Sequence, residues 1–95
     1  MICMITYDLN SPGQNYEDVT KTIKDCSTGV WCNYWKSAYL IQTKKTVQQI
    51  TDAIEPFLDK NDRLIIIEVK RNYQGWLSKD QWAYIRDMFD TDSAY

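Results

Sequence analysis

The order in which strand-like and helix-like patterns alternate restricts this chain more than any other feature. Ile2-Cys3-Met4-Ile5-Thr6-Tyr7-Asp8-Leu9 is a compact apolar run of strand formers and reads as strand one. Asn10-Ser11-Pro12-Gly13-Gln14 breaks it, with Pro-Gly suited to the centre of a type II turn. Asn15 with Asp18 makes a capping-box-like start for a helix over 16–26, whose apolar positions are Tyr16, Val19, Ile23 and Cys26. Val30–Tyr34 and Ser37–Gln42 flank a connection at Trp35-Lys36 and read as a β-hairpin. Thr46 and Gln49 form a clearer capping box for a second helix bearing Val47, Ile50, Ile54, Phe57 and Leu58, which Pro56 kinks or ends. Arg63–Val69 contains Leu64-Ile65-Ile66-Ile67, the densest β-branched run, and reads as a strand buried on both faces. Ser78 and Gln81 cap a last helix carrying Trp82, Ile85 and Phe89.

Two strand–helix units joined by a hairpin give the order β-α-β-β-α-β. That is the split arrangement of an α+β, ferredoxin-like sandwich, here with an additional C-terminal helix. Right-handed crossovers put strands one and three in the centre and strands two and four at the edges. The 95 residues hold one core, so the expected organisation is a single domain over 1–95. Its core spans 1–70, an edge segment or arm 71–77, the last helix 78–89 and a frayed tail 90–95. A domain of this size buries only about two-thirds of the surface its unfolded chain exposes. An edge built from Leu64 to Val69 also invites aggregation, so it needs cover from residues 70–77, a second subunit, or both.

Net charge is −2 and the sequence pI about 4.9, which argues against sequence-blind nucleic-acid binding through a broad basic surface. The chain has no His, which removes His-based acid–base catalysis, His metal sites and Ser-His-Asp chemistry. Cys3, Cys26 and Cys32 form neither a CxxC pair nor a zinc spacing; buried, inert thiols in a reducing cytoplasm are expected. Met1 to Leu9 is too short, and too soon interrupted by Asp8, for a signal peptide or membrane span.

If strands one and three run one way and strands two and four the other, two chemically distinct sheet ends follow. One carries Asp8, Asn10 and Ser11 beside Asn61, Asp62 and Arg63; the other collects Tyr34-Trp35-Lys36 and Lys70-Arg71-Asn72-Tyr73. Asp8, alone or with a dimer copy, has the chemistry to hold Mg²⁺ through oxygen ligands and water and so activate water against a phosphodiester. The competing role for Asp8 is to accept hydrogen bonds from the loop amides of 10–13. At the other end Trp31, Tyr34, Trp35, Tyr73 and Trp76 interleave with Lys36, Lys70 and Arg71. Rings that stack on bases beside cations that meet phosphates suit RNA or nucleotides. Aromatics are equally favoured in cores and at protein interfaces. Asp62 reads as turn chemistry, Glu17-Asp18 as helix N-terminal stabilisation and Lys44-Lys45 as solvated surface.

Three segments carry a family likeness: Tyr7-Asp8-Leu9-Asn10-Ser11-Pro12-Gly13 with Asn15-Tyr16, then Trp31 to Tyr39, then Ile54-Glu55-Pro56-Phe57-Leu58-Asp59 with Asn61-Asp62. Through them the chain resembles the small CRISPR-associated ferredoxin-fold proteins of the spacer-adaptation complex and the related virulence-associated protein D ribonucleases, in an uncharacterised bacterial and phage branch. The resemblance covers roughly 1–70. It implies a homodimer packed through sheet faces, with 70–77 adding a strand to the partner. It also implies that Asp8 matches the strand-one aspartate that binds divalent metal in nuclease members. Together these give the expected function, a nucleic-acid- or nucleotide-directed dimer, most sharply a Mg²⁺-dependent endoribonuclease. In that reading Asp8 is catalytic, and Trp35, Lys36, Lys70, Arg71 and Tyr73 hold substrate. The alternative is a non-catalytic binding module, antitoxin-like or antidefence, that captures a protein partner or a cyclic nucleotide.

Overall fold

A computed structural model describes residues 1–10 and 15–92. The elements are β1 (Ile2–Asp8), α1 (Tyr16–Cys26), β2 (Trp31–Trp35), β3 (Ala38–Gln42), α2 (Val47–Ile54), a 3₁₀ turn (Glu55–Phe57), β4 (Arg63–Glu68) and α3 (Lys79–Asp90). The Pro-Gly turn falls at 11–14, outside the described residues, as do residues 93–95 of the tail. Among the described residues no helix is long and apolar enough to cross a membrane.

Helix boundaries follow local chemistry. Thr46 and Ser78 each accept the backbone N–H three residues on, from Gln49 and Gln81, and both Gln side chains return the bond to the cap amide. Asn15 stands at the cap of α1 but its side chain caps nothing. At φ −118° and ψ 5° its backbone lacks the extended geometry that brings a cap oxygen over the first turn. Pro56 ends α2 as a tightened 3₁₀ turn. Gly29, at φ +103°, makes the left-handed turn that carries the chain from α1 into β2.

The four strands form one antiparallel sheet in the order β2-β3-β1-β4. Because β1 is antiparallel to both β3 and β4, and β2 to β3, β1 and β2 run one way and β3 and β4 the other. This corrects the sequence-based pairing of directions: the helical crossover leaves β1 and β2 parallel, and the tight hairpin turns β3 against β2 and so against β1. The hairpin tip therefore shares a sheet end with Asp8 and Arg63. Tyr7 N–H donates to the Ser37 carbonyl across that end at 3.1 Å. The exit of β4 lies at the other end, where Val69 N–H donates to the Ile2 carbonyl at 2.9 Å.

Three layers result. On one face α1 and α2 bury Val19, Ile23, Ile50 and Ile54 against Cys3, Ile5 and Ile41, all fully inaccessible. On the other, α3 lays Ile85 and Met88 over Ile2, Cys32 and Leu40. That second face is the one a face-to-face dimer would use, and α3 takes its β2–β3 side. A polar spike fixes the helix there. The buried Gln42 amide donates to the Met88 carbonyl (2.9 Å) and the Thr91 hydroxyl (3.0 Å), while its oxygen accepts from Thr28 (2.6 Å).

β4 is not buried on both faces. Leu64 and Ile66 pack on the α1/α2 side, but Ile65 and Ile67 are 56% and 48% exposed. A short apolar run is shared by central and edge strands alike, and here the strand order puts the run at an edge. Residues 70–77 form no strand.

Candidate functional site

The hairpin sets the first wall of the site. Its loop is the two residues Lys36-Ser37, one position later than the sequence suggests, and no described non-glycine residue has a positive φ, so the tight primed turns are not used. The ladder slips instead: Cys32 pairs with Leu40 but Trp35 pairs with Ala38, leaving one extra residue in β2. The Asn33 amide donates to the carbonyls of Ala38 (2.8 Å) and Trp35 (3.1 Å), replacing ladder bonds that the bulge removes. Strand alternation alone would put Trp35 and Cys32 on opposite faces. The bulge turns Trp35 onto the face of Ala38 and Leu40, the α3 side.

The second wall is the segment after β4. It leaves the far end of the sheet and returns across the second face, so that Val69, Lys70, Asn72, Tyr73, Gly75 and Trp76 line the same cavity as Trp35. Met4 and Leu40 form its floor, and Trp82, Ile85 and Phe89 of α3 close its side, enclosing about 350 Å³. Tyr73 stacks on Trp82, centroids 5.7 Å apart and planes within 10°, and tilts against Phe89 at 5.5 Å. Trp76, by contrast, is 99% exposed.

The five residues expected to hold ligand thus divide. Trp35, Lys70 and Tyr73 meet at the groove, although their strands end at opposite sheet ends. Lys70 pairs loosely with Glu68 at 3.4 Å, both side chains open to water, so its ammonium is available. Arg71 does not line the groove. Its guanidinium is bound to the Asp90 carboxylate, which holds its pKa above the ordinary arginine value, and it lies over the Phe89 ring at 5.9 Å. Lys36 stands exposed at the hairpin tip, away from the cavity lining. Trp31 packs on Tyr39 (5.6 Å) on the α1/α2 face with Lys24 over its ring, outside the groove. Trp82 and Phe89, read from sequence as helix core, are groove walls. The available signal was the clustering of rings in the last third of a chain with four Trp.

Asp8 is exposed where β1 ends, opposite Arg63 in the β1–β4 register. Among the described residues no group of three metal-ligating side chains occurs there or elsewhere. Neighbouring Asp62 is occupied as turn chemistry: its carboxylate accepts from the amides of Asn10 (2.8 Å) and Asp59 (3.0 Å), and the Asn10 side chain donates to the Asn61 carbonyl. Tyr7 is no base. Burial, aided by the Tyr16 hydroxyl at 3.4 Å, pushes its phenol well above the ordinary value and keeps it protonated at neutral pH. The three thiols are all buried and free, and burial raises Cys3 and Cys32 to about 11. Thiols held protonated in this way are inert.

Comparison of the chain with protein-family models, curated proteins and solved structures returns no match.

Proposed function

We propose that this protein is a ferredoxin-like binding module that takes a nucleobase-bearing ligand, a nucleotide or a short single-stranded RNA segment, into the groove between the sheet and α3. The strand order β2-β3-β1-β4 with α1 and α2 together on one face supports the fold assignment. The observation that carries the ligand is the convergence of Trp35, Tyr73, Trp76, Trp82 and Phe89 around a cavity of about 350 Å³, with Lys70 in its lining. Stacking of a base on such a ring contributes about 1–3 kcal/mol and tolerates any base. A nearby ammonium supplies the phosphate contact, as a point charge. A fully solvated Trp76 costs solubility unless its ring has an occupant to cover.

The test is tryptophan-fluorescence titration with nucleoside monophosphates, cyclic dinucleotides and RNA oligomers. Saturable quenching is expected in the wild type, with affinity down at least about tenfold in Trp76→Ala, from one lost stack. Equal quenching in both proteins removes the groove from the proposal. The reducing compartment suited to three free thiols supports cytoplasmic residence.

Endoribonuclease activity is the second reading, favoured by the exposed carboxylate of Asp8 at the sheet end it shares with Lys36 and Arg63. Mg²⁺ held there by Asp8 and water would act on RNA. Cleavage of single-stranded RNA with Mg²⁺, lost with EDTA and in Asp8→Ala, supports it; equal cleavage by the variant ends it. Among the described residues no group of three metal-ligating side chains forms, and the neighbouring Asp62 carboxylate is taken up by backbone amides, which is why binding stands first.

A further inference from the structure

The edge of β4 carries a pattern that matches itself. Val69 N–H points inward to the Ile2 carbonyl, and backbone groups alternate along a strand. Arg63, Ile65 and Ile67 therefore bond toward β1, while Leu64, Ile66 and Glu68 direct their N–H and C=O groups away from the sheet. Among the described residues no other strand takes them up. Ile65 and Ile67, opposite Thr6 and Met4 in the register, project on the α3 side beyond the part of that face which α3 covers. A flat apolar edge of this kind carries none of the usual devices against pairing, no proline, bulge or central lysine.

We infer that β4 pairs antiparallel with β4 of a second copy, giving a two-fold dimer with one continuous sheet. Directly opposed residues in an antiparallel pair point to the same face, so a two-fold axis normal to the sheet passes through a residue facing its own copy. Charge then selects the register. With Ile65 on the axis, Asp62 faces the partner's Glu68, a like-charge pair. With Ile67 on the axis, Arg63 faces the partner's Arg71, again like charges. With Ile66 on the axis, Asp62 faces the partner's Lys70 and Ile65 faces the partner's Ile67, so opposite charges meet and the exposed isoleucines cover each other. The outward-directed groups of Leu64, Ile66 and Glu68 are the ones bonded in this register. This interface meets the aromatic groove only at Val69 and Lys70 and needs no ligand.

Sedimentation of the wild type is expected to give twice the chain mass. The double variant Ile65→Lys/Ile67→Lys is expected to sediment as a monomer that still melts in one cooperative transition, below that of the dimer, because neither side chain is in the core. The register is read by mild oxidation of Ile65→Cys and Ile67→Cys chains. These two positions form a non-hydrogen-bonded pair across the axis, close enough for a disulfide. A cross-linked dimer is expected only when the two variants are mixed, since the native thiols are buried. A monomeric wild type, a dimeric lysine variant, or equal cross-linking in the unmixed samples overturns the proposal. Nucleotide titration of the lysine variant reports on the groove independently.

Discussion

The two faces of the sheet are built by different rules. Under α1 and α2 the side chains are mostly aliphatic, and Cys3, Ile5, Val19, Ile23, Ile41, Ile50 and Ile54 have no accessible surface. Under α3 the buried cluster is five residues, and half of the partly buried side chains packed around it are rings: Tyr34, Trp35, Trp82 and Phe89. Aliphatic chains interlock to crystal-like density, whereas stacked rings supported from one side leave a slot. One face makes the fold, and the other keeps a cavity open at some cost in burial.

That contrast breaks if the faces respond alike to truncation. Ile5→Ala is expected to cost about 2–5 kcal/mol in denaturant unfolding, a sealed site with no room to relax. Trp35→Ala, at the groove, is expected to cost clearly less while lowering ligand affinity. Next in size is Gln42→Leu, which takes the side-chain donor from the Met88 carbonyl at a buried position and costs about 1–3 kcal/mol. Hydrogen exchange should quicken over α3 and remain slow in α1 and α2. Equal quickening everywhere would mean that the two layers open as one.

Alkali offers a third probe. Cys3 lies in the α1/α2 layer and Cys32 in the α3 layer, and burial raises both thiols from 9.0 to about 11. A thiol whose folded pKa is raised stabilises fully below the unfolded value. That contribution fades as pH rises from about 9 to about 11. The unfolding midpoint should fall across this window. Thiol labelling of native protein should reach Cys32 before Cys3, as the looser layer opens first. The smallest effect is expected from Arg71→Ala. Its ion pair with Asp90 is exposed and screened by water, so little stability is lost. A large loss of ligand affinity in that variant would show that ligand frees Arg71 from Asp90.

Much of this architecture is legible in the residues. The capping boxes at Thr46 and Ser78, the break at Pro56 and the apolar spacing in α1 and α2 are local effects, and local chemistry decides them. What sequence hides is relational. Leu64 to Ile67 gives no sign that Ile65 and Ile67 face water, and the opposed direction of β1 and β3 follows only when the helical crossover and the hairpin are considered together. The groove is less legible still. It depends on a return path of residues 70–77, which carries no periodic signal, and on a bulge that neither Asn33 nor Tyr34 announces. Recognising Trp35, Lys70 and Tyr73 as aromatic and cationic partners was possible from residue chemistry; knowing that they meet over a face rather than at an end was not.

The single surplus residue in β2 makes hairpin length a matter of parity. Removing either Asn33 or Tyr34 would let the ladder run evenly from Cys32 to the loop with the indole still toward α3, whereas an even ladder at the present length would pair Tyr34 with Ala38 and swing the indole to the opposite side, among the helices of the other layer or out to water. A slip of one residue in pairing could thus silence the groove in a chain whose side chains are all unaltered.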